Sequence, residues 1–145
     1  MDRIYNNEAL LSILILRLLE FGPSDVSRML LFSTVLIDDT SRSRLNKSVS
    51  SDDFFLKMRH TTKSFNRKFR ETTVIFLNAI QLLKQVGRID YNERGLVLPH
   101  KLASIRTSDI NSNRLVEILS SAQKMHEILK NIPTEILFSQ LRIQL

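Results

Sequence analysis

The chain contains no cysteine. That excludes a disulfide framework and any thiolate-ligated zinc site. It has only three glycines, and none forms a GxxxxGK[ST] or GxGxxG loop, so nucleotide hydrolysis through a phosphate-cradling loop is not expected. Long apolar runs are missing too. Leu10 to Phe21 comes nearest, but it carries Arg17 and Glu20 and falls short of the roughly 20 apolar residues that cross a bilayer. A buried core helix is the better reading. Asp2 and Glu8 flank a single early Arg3, with no small-residue cleavage site after them. This pattern is unlike an export signal, and a cytoplasmic location is expected.

Chemistry-bearing side chains are equally sparse. There are three histidines. His60 sits among basic residues that would repel a cation, and His100 follows a proline. His126 has no histidine or carboxylate at the four-residue spacing used by helical metal sites. Asp38-Asp39 and Asp52-Asp53 stand ahead of helical segments, where acidic residues serve as caps and dipole partners. No catalytic residue, metal or cofactor is expected, and the chain does not read as an enzyme.

What is present is a globular composition. At 145 residues, 43% hydrophobic and 25% charged, the chain reads as one domain with a real core. Its net charge is +6, and the excess is local. Residues 36–70 hold nine Lys/Arg against four Asp/Glu. A concentrated surplus points to an anionic partner surface.

The periodicity predicts a mainly α fold. Asn6 or Asn7 caps a first helix whose residues Ala9, Leu10, Leu11, Ile13, Leu14, Ile15, Leu16, Leu18 and Leu19 are apolar on nearly every side. Such a helix is buried all round, in its own domain or under a partner. Gly22-Pro23 ends it. Ser24 or Asp25 starts a second helix through Ile37. Residues 38–51 read as a short helix within a mobile connection. Ser51 or Asp52 begins a third helix, with Phe54, Met58, Thr61, Phe65 and Phe69 as its apolar stripe. The β-branched cluster Thr72 to Ile75 predicts a break. Asn111 or Asn113 caps a C-terminal helix, and Thr134-Glu135 opens a last short one after Pro133. The organisation expected is N-terminal helices over 1–50, a central unit over 51–100 and C-terminal helices over 110–145.

The most informative stretch is 72–98. An apolar helical run, Thr72 to Val86, stops at Gly87, the residue type suited to a left-handed helix end. The triplets Ile89-Asp90-Tyr91 and Leu96-Val97-Leu98 follow, joined by Asn92-Glu93-Arg94-Gly95, a hairpin signal. Helix, glycine stop and two-stranded wing describe a winged-helix-like unit. In a DNA-reading winged helix, the helix before the wing presents polar side chains to base edges. Here it offers Asn78, Gln81, Lys84 and Gln85 among many apolar residues. It reads as too apolar for a wet groove, and better as a packing and protein-contact element.

A basic stripe is the clearest residue-level signal. Arg59, Lys63, Arg67 and Arg70 share one face, with Lys57, His60 and Lys68 beside it. Arg88 and Arg94 lie in or near the wing. The functional reading of these cations is contact with phosphate or another anion; the plainer one is a solvated helix face.

Ile4-Tyr5-Asn6-Asn7-Glu8-Ala9-Leu10-Leu11, the apolar segment Met29 to Ile37, Arg42 with Leu45, and the closing Leu129 to Ile143 with its Pro133-Thr134-Glu135-Ile136 together resemble the middle-component proteins of three-component ABC defence systems. The Lamassu-type antiphage systems are the familiar case. The likeness covers nearly the whole chain through short motifs. It departs in the second segment, where Thr34-Val35-Leu36 lacks the proline associated with the family, and at Arg142, where a glycine is common. The resemblance implies a non-catalytic adaptor between an SMC-like ABC ATPase, which senses DNA, and a nuclease-type effector. Tyr5, Asn6, Asn7, Leu11, Ile15, Phe138, Leu141 and Ile143 are then the candidate protein interface. Contact with DNA through the complex falls to the basic residues named above. A winged-helix transcriptional regulator is the alternative.

Overall fold

The computed structural model describes the backbone of residues 2–100 and 112–144, and side chains from Asn7 onward within those spans. Helix α1 (Asp2–Leu19) runs through the middle of the core. It begins ahead of Asn6 and Asn7, so neither caps it. Leu11, Leu14, Ile15, Leu18 and Leu19 are buried, with Leu10, Ile13 and Leu16 packed beside them. The reason for its all-round apolarity is that neighbours pack on several of its sides. Gly22, at φ 123°, turns the chain out of it.

Asp25 caps α2 (Val26–Ile37), its Oδ1 accepting from the Arg28 amide at 2.7 Å. Residues Met29 to Leu36 are all buried. Asp38 caps α3 (Asp39–Asn46) in turn. This segment is a packed helix and not the mobile connection expected: Leu45 is fully buried and Arg42 is 5% exposed. Ser50, one residue ahead of the expected start, caps α4 (Ser51–Met58).

The next helix departs most from expectation. A 3-10 turn at Arg59–Thr61 separates α4 from α5 (Thr62–Gln85). The break thus falls at Arg59, and the β-branched cluster at Thr72 runs straight through as helix. Local propensity costs only tenths of a kcal/mol per residue. It is overridden by a continuous inner face of Phe65, Phe69, Thr72, Phe76, Ala79, Ile80 and Leu83. Thr73 also turns its hydroxyl back to the Phe69 carbonyl, at 2.7 Å. The inner face packs on α1 and α2.

Gly87, at φ 74°, ends α5. Its amide donates to the Lys84 carbonyl and the Arg88 amide to that of Leu83, at 3.1 and 2.9 Å, the paired bonds of a Schellman stop. Strands β1 (Ile89–Tyr91) and β2 (Val97–Pro99) pair antiparallel in the register Ile89–Pro99, Asp90–Leu98 and Tyr91–Val97. β2 therefore starts one residue later than expected. Asn92 holds the turn, its side-chain oxygen accepting from the amides of Arg94 and Leu96, both at 2.9 Å. Ser24, between α1 and α2, adds a single antiparallel bridge to Val97.

Ser112 caps α6 (Asn113–Leu129), in place of Asn113; Asn111 lies outside the described residues. After Pro133 comes α7 (Thr134–Gln140). The tail then folds back on α5: Asn66 donates to the Arg142 carbonyl and accepts from the Gln144 amide, at 3.0 and 2.7 Å. The fold is mainly α with one small antiparallel sheet. Its core is one cluster drawing on the N-terminal, central and C-terminal helices alike. No helix among the described residues is long and apolar enough to cross a membrane.

Candidate interaction surface

The basic residues separate into two groups once their surroundings are seen. Arg42 donates to the Leu36 carbonyl at 2.7 Å, to Asp39 at 2.7 Å and to Glu117 at 3.4 Å. Arg44 donates to the Lys57 carbonyl and to the Thr61 hydroxyl. Lys57 pairs with Asp53 at 2.7 Å. Arg28 donates to the carbonyls of Ile132 and Leu129, at 2.6 and 2.8 Å, and lies over the Phe32 ring. These cations are consumed within the fold. The charge surplus of residues 36–70 is accordingly smaller, as a surface, than the sequence suggests.

Arg59, Lys63, Arg67 and Arg70 are different. All four are exposed, and none forms an ion pair among the described residues. Lys63, Arg67 and Arg70 follow the i, i+4, i+7 spacing of one helix face. Lys68 stands to one side, 4.0 Å from Glu71. Arg88 and Arg94 are exposed beyond the end of α5. From Arg59 to Arg94 there are eight Lys/Arg and three Asp/Glu. This one segment supplies a surplus of five toward the chain's net +6.

The second half of α5 continues the same outward face with other chemistry. Asn78, Gln81, Lys84 and Gln85 are exposed, and Lys84 lies 4.8 Å over the Tyr91 ring of the hairpin. Among them stand Val74 at 63% exposure, Leu77 at 49%, Leu82 at 45% and, at the helix end, Val86 at 61%. The expectation that this helix is too apolar to face water holds for its inner side alone. Phe76, Ala79, Ile80 and Leu83 are the buried ones.

The expected protein-contact residues fare differently. Leu11 and Ile15 are fully buried and Leu141 is 4% exposed. They belong to the chain's own core and offer no surface to a partner. Phe138 is half-buried, edge-on to Phe69 at 5.8 Å, and Ile143 packs against the same core. Asn7 is half-buried. The side chains of Tyr5 and Asn6 lie outside the described residues. What the sequence missed is the exposed row on α5. Its signal was the run Val74 to Val86 read for what remains after the inward positions are removed.

No group of three or more His, Asp or Glu that could hold a metal occurs among the described residues. His60 and His100 are exposed. His126 stacks on Phe21, with ring centroids 4.2 Å apart and planes 7° from parallel. Burial, then Lys130 and Arg28, holds its pKa below the ordinary histidine value, with Glu127 opposing. The pair borders a cavity of about 260 Å³ that also touches Met29, Phe32, Arg28 and Lys130.

Comparison with family models, curated proteins and solved structures gives no match.

Proposed function

We propose that this chain is a non-catalytic adaptor in a bacterial antiphage complex, joining an SMC-like ABC ATPase to a nuclease-type effector in the cytoplasm. The observation that carries the reading is the outward face of the second half of α5. Single exposed apolar residues are ordinary on any protein surface. Several on one helix, with Val74 and Leu77 beside the uncharged Asn78, Gln81 and Gln85 and Leu82 round the flank, have the mixed character of a protein-contact surface. The resemblance to the middle components of Lamassu-type systems supplies the identity of the partners, and the sparse catalytic chemistry agrees with it.

Co-expression with an SMC-like ATPase and a nuclease-type effector encoded by neighbouring genes tests the reading, as does the presence of such genes. The three chains should co-elute, and Leu77→Asp with Leu82→Asp should release the adaptor while it stays folded. A well-behaved monomer with no affinity for either neighbour would defeat the proposal.

A winged-helix DNA-binding regulator is the second reading, favoured by the bridge between Ser24 and Val97. It gives the order helix, short strand, helices, hairpin that a winged helix uses, with polar residues exposed on the helix ahead of the wing. Gel shifts across genomic fragments separate the two. A regulator prefers one fragment, with steep salt dependence, whereas an adaptor shows no such preference.

A further inference from the structure

We propose that the outward face of the 3-10 turn and the first half of α5, carrying Arg59, Lys63, Arg67 and Arg70, is a track for the phosphate backbone of duplex DNA, bound without reading sequence. This goes beyond the adaptor reading and holds whichever protein covers the second half of the helix.

Four observations meet on it. The four cations are exposed and form no ion pair among the described residues, whereas Arg42 and Arg44 are engaged inside the fold and Lys57 pairs with Asp53 on its own helix. Lys63, Arg67 and Arg70 rise along one face in steps of about 6 and 4.5 Å. Phosphates on one DNA strand follow at about 3.4 Å along the axis, so the roughly 10.5 Å from Lys63 to Arg70 covers about three of them, a density that three long side chains can meet.

The face also lacks stacking platforms. Phe54, Phe55, Phe65, Phe69 and Phe76 all point into the core. Single strands are held chiefly on exposed aromatics, so a duplex fits better. Finally, this half of α5 exposes no Asn or Gln, the amides that read adenine edges: Asn66 is buried and engaged with the C-terminal tail. Charge without amides positions a protein on DNA and does not specify a site. One edge of the track is mixed in charge: Asp38 and Glu71 line a cavity of about 270 Å³ together with Arg67 and Lys68, and the two carboxylates set the limit of the basic surface on that side.

Fluorescence anisotropy of the full chain with 25-base-pair duplexes of unrelated sequence, between 50 and 200 mM salt, tests this. Four phosphate contacts give a slope of log K against log salt of about −3.6. Unrelated duplexes should bind within threefold of one another, and a single strand of equal length more weakly. Arg67→Glu with Arg70→Glu should weaken binding at least tenfold and flatten the slope by about 2. Arg67→Lys with Arg70→Lys should bind nearly as the parent does, and Leu77→Ser should change affinity less than twofold. Circular dichroism melts check that each variant folds. Binding that ignores salt, binding untouched by the charge reversal, preference for a single sequence, or equal affinity for a polyglutamate peptide of matched charge would each overturn the proposal. The last outcome would make the partner an acidic protein. Loss of co-elution with the ATPase, by contrast, would bear on the adaptor reading alone.

Discussion

Arginines do opposite work in two parts of this molecule. In the corners between α2, α3, α4 and α6, Arg28 reaches the carbonyls of Leu129 and Ile132 at one end of α6, while Arg42 and Arg44 reach those of Leu36 and Lys57. These carbonyls all lie at or just beyond helix C-termini, where the last turn has acceptors with no partner inside the helix and the dipole is negative. Arg59, at the end of α4, and Arg67 and Arg70, along α5, make no ion pair among the described residues and stay exposed. A cation that a second helix end packs against is drafted into the fold; one that only solvent faces remains available to a partner. Residue type alone does not distinguish them.

The hardest test of that contrast is Arg42→Met. The substitution keeps most of the apolar stem and removes three charge-assisted bonds from a side chain 5% exposed. It strands the buried Leu36 carbonyl as well. A loss of about 2–4 kcal/mol is expected, read by urea denaturation, with amide exchange accelerating first in α3. Stability equal to the parent's would mean that the corner does not depend on its arginines. Arg28→Met should cost less, about 1–2 kcal/mol, because Arg28 is only half-buried and the new side chain can still lie on Phe32. Burial holds the Arg28 pKa below its usual value, with Asp25 acting against it.

Much of the fold was legible because it rests on periodicity and turn chemistry. Of the stripe Phe54, Met58, Thr61, Phe65 and Phe69, all but the half-buried Thr61 of the 3-10 turn are buried, and Gly87 and Asn92 do what those residue types do at a helix stop and a hairpin turn. The break at Arg59 was not legible. It is fixed by packing and by the Arg44 bonds to Lys57 and Thr61, partners 13 and 17 residues away in the chain. The candidate surface was half legible. The basic stripe was visible as spacing, but Leu11, Ile15 and Leu141 look the same in sequence whether they face a partner or the chain's own core. The deciding fact is where α5 and α7 come to lie, and no local pattern records it.

A smaller effect lies beside Arg28. His126 has a folded pKa below its ordinary value near 6.5, so over the interval between the two the unfolded chain binds more protons than the native one. Stability is then full above about 6.5 and falls as pH drops toward the folded value. Melting temperatures between pH 5 and 7.5 should show this decline, and His126→Phe should flatten it while keeping the stack on Phe21. Because the Arg28 charge contributes to the lowered pKa, the decline should also shrink in Arg28→Met. A slope unchanged in that background would separate His126 from the arginine corner.

The smallest expected effect on stability is the most telling. Arg67→Glu with Arg70→Glu should leave the urea midpoint within about 0.5 kcal/mol of the parent, in contrast to either corner arginine. Two neighbours at the i, i+4 spacing oppose each other: a glutamate at 67 turns the Lys63 contact attractive and the Glu71 contact repulsive, each by about 0.2–0.5 kcal/mol. Their effects offset, so the small net change should not grow at low salt. A destabilised variant would place these arginines with Arg28 and Arg42 as parts of the fold. A variant as stable as the parent, yet unable to hold DNA, would mean that α5 keeps a row of cations that its own folding does not need.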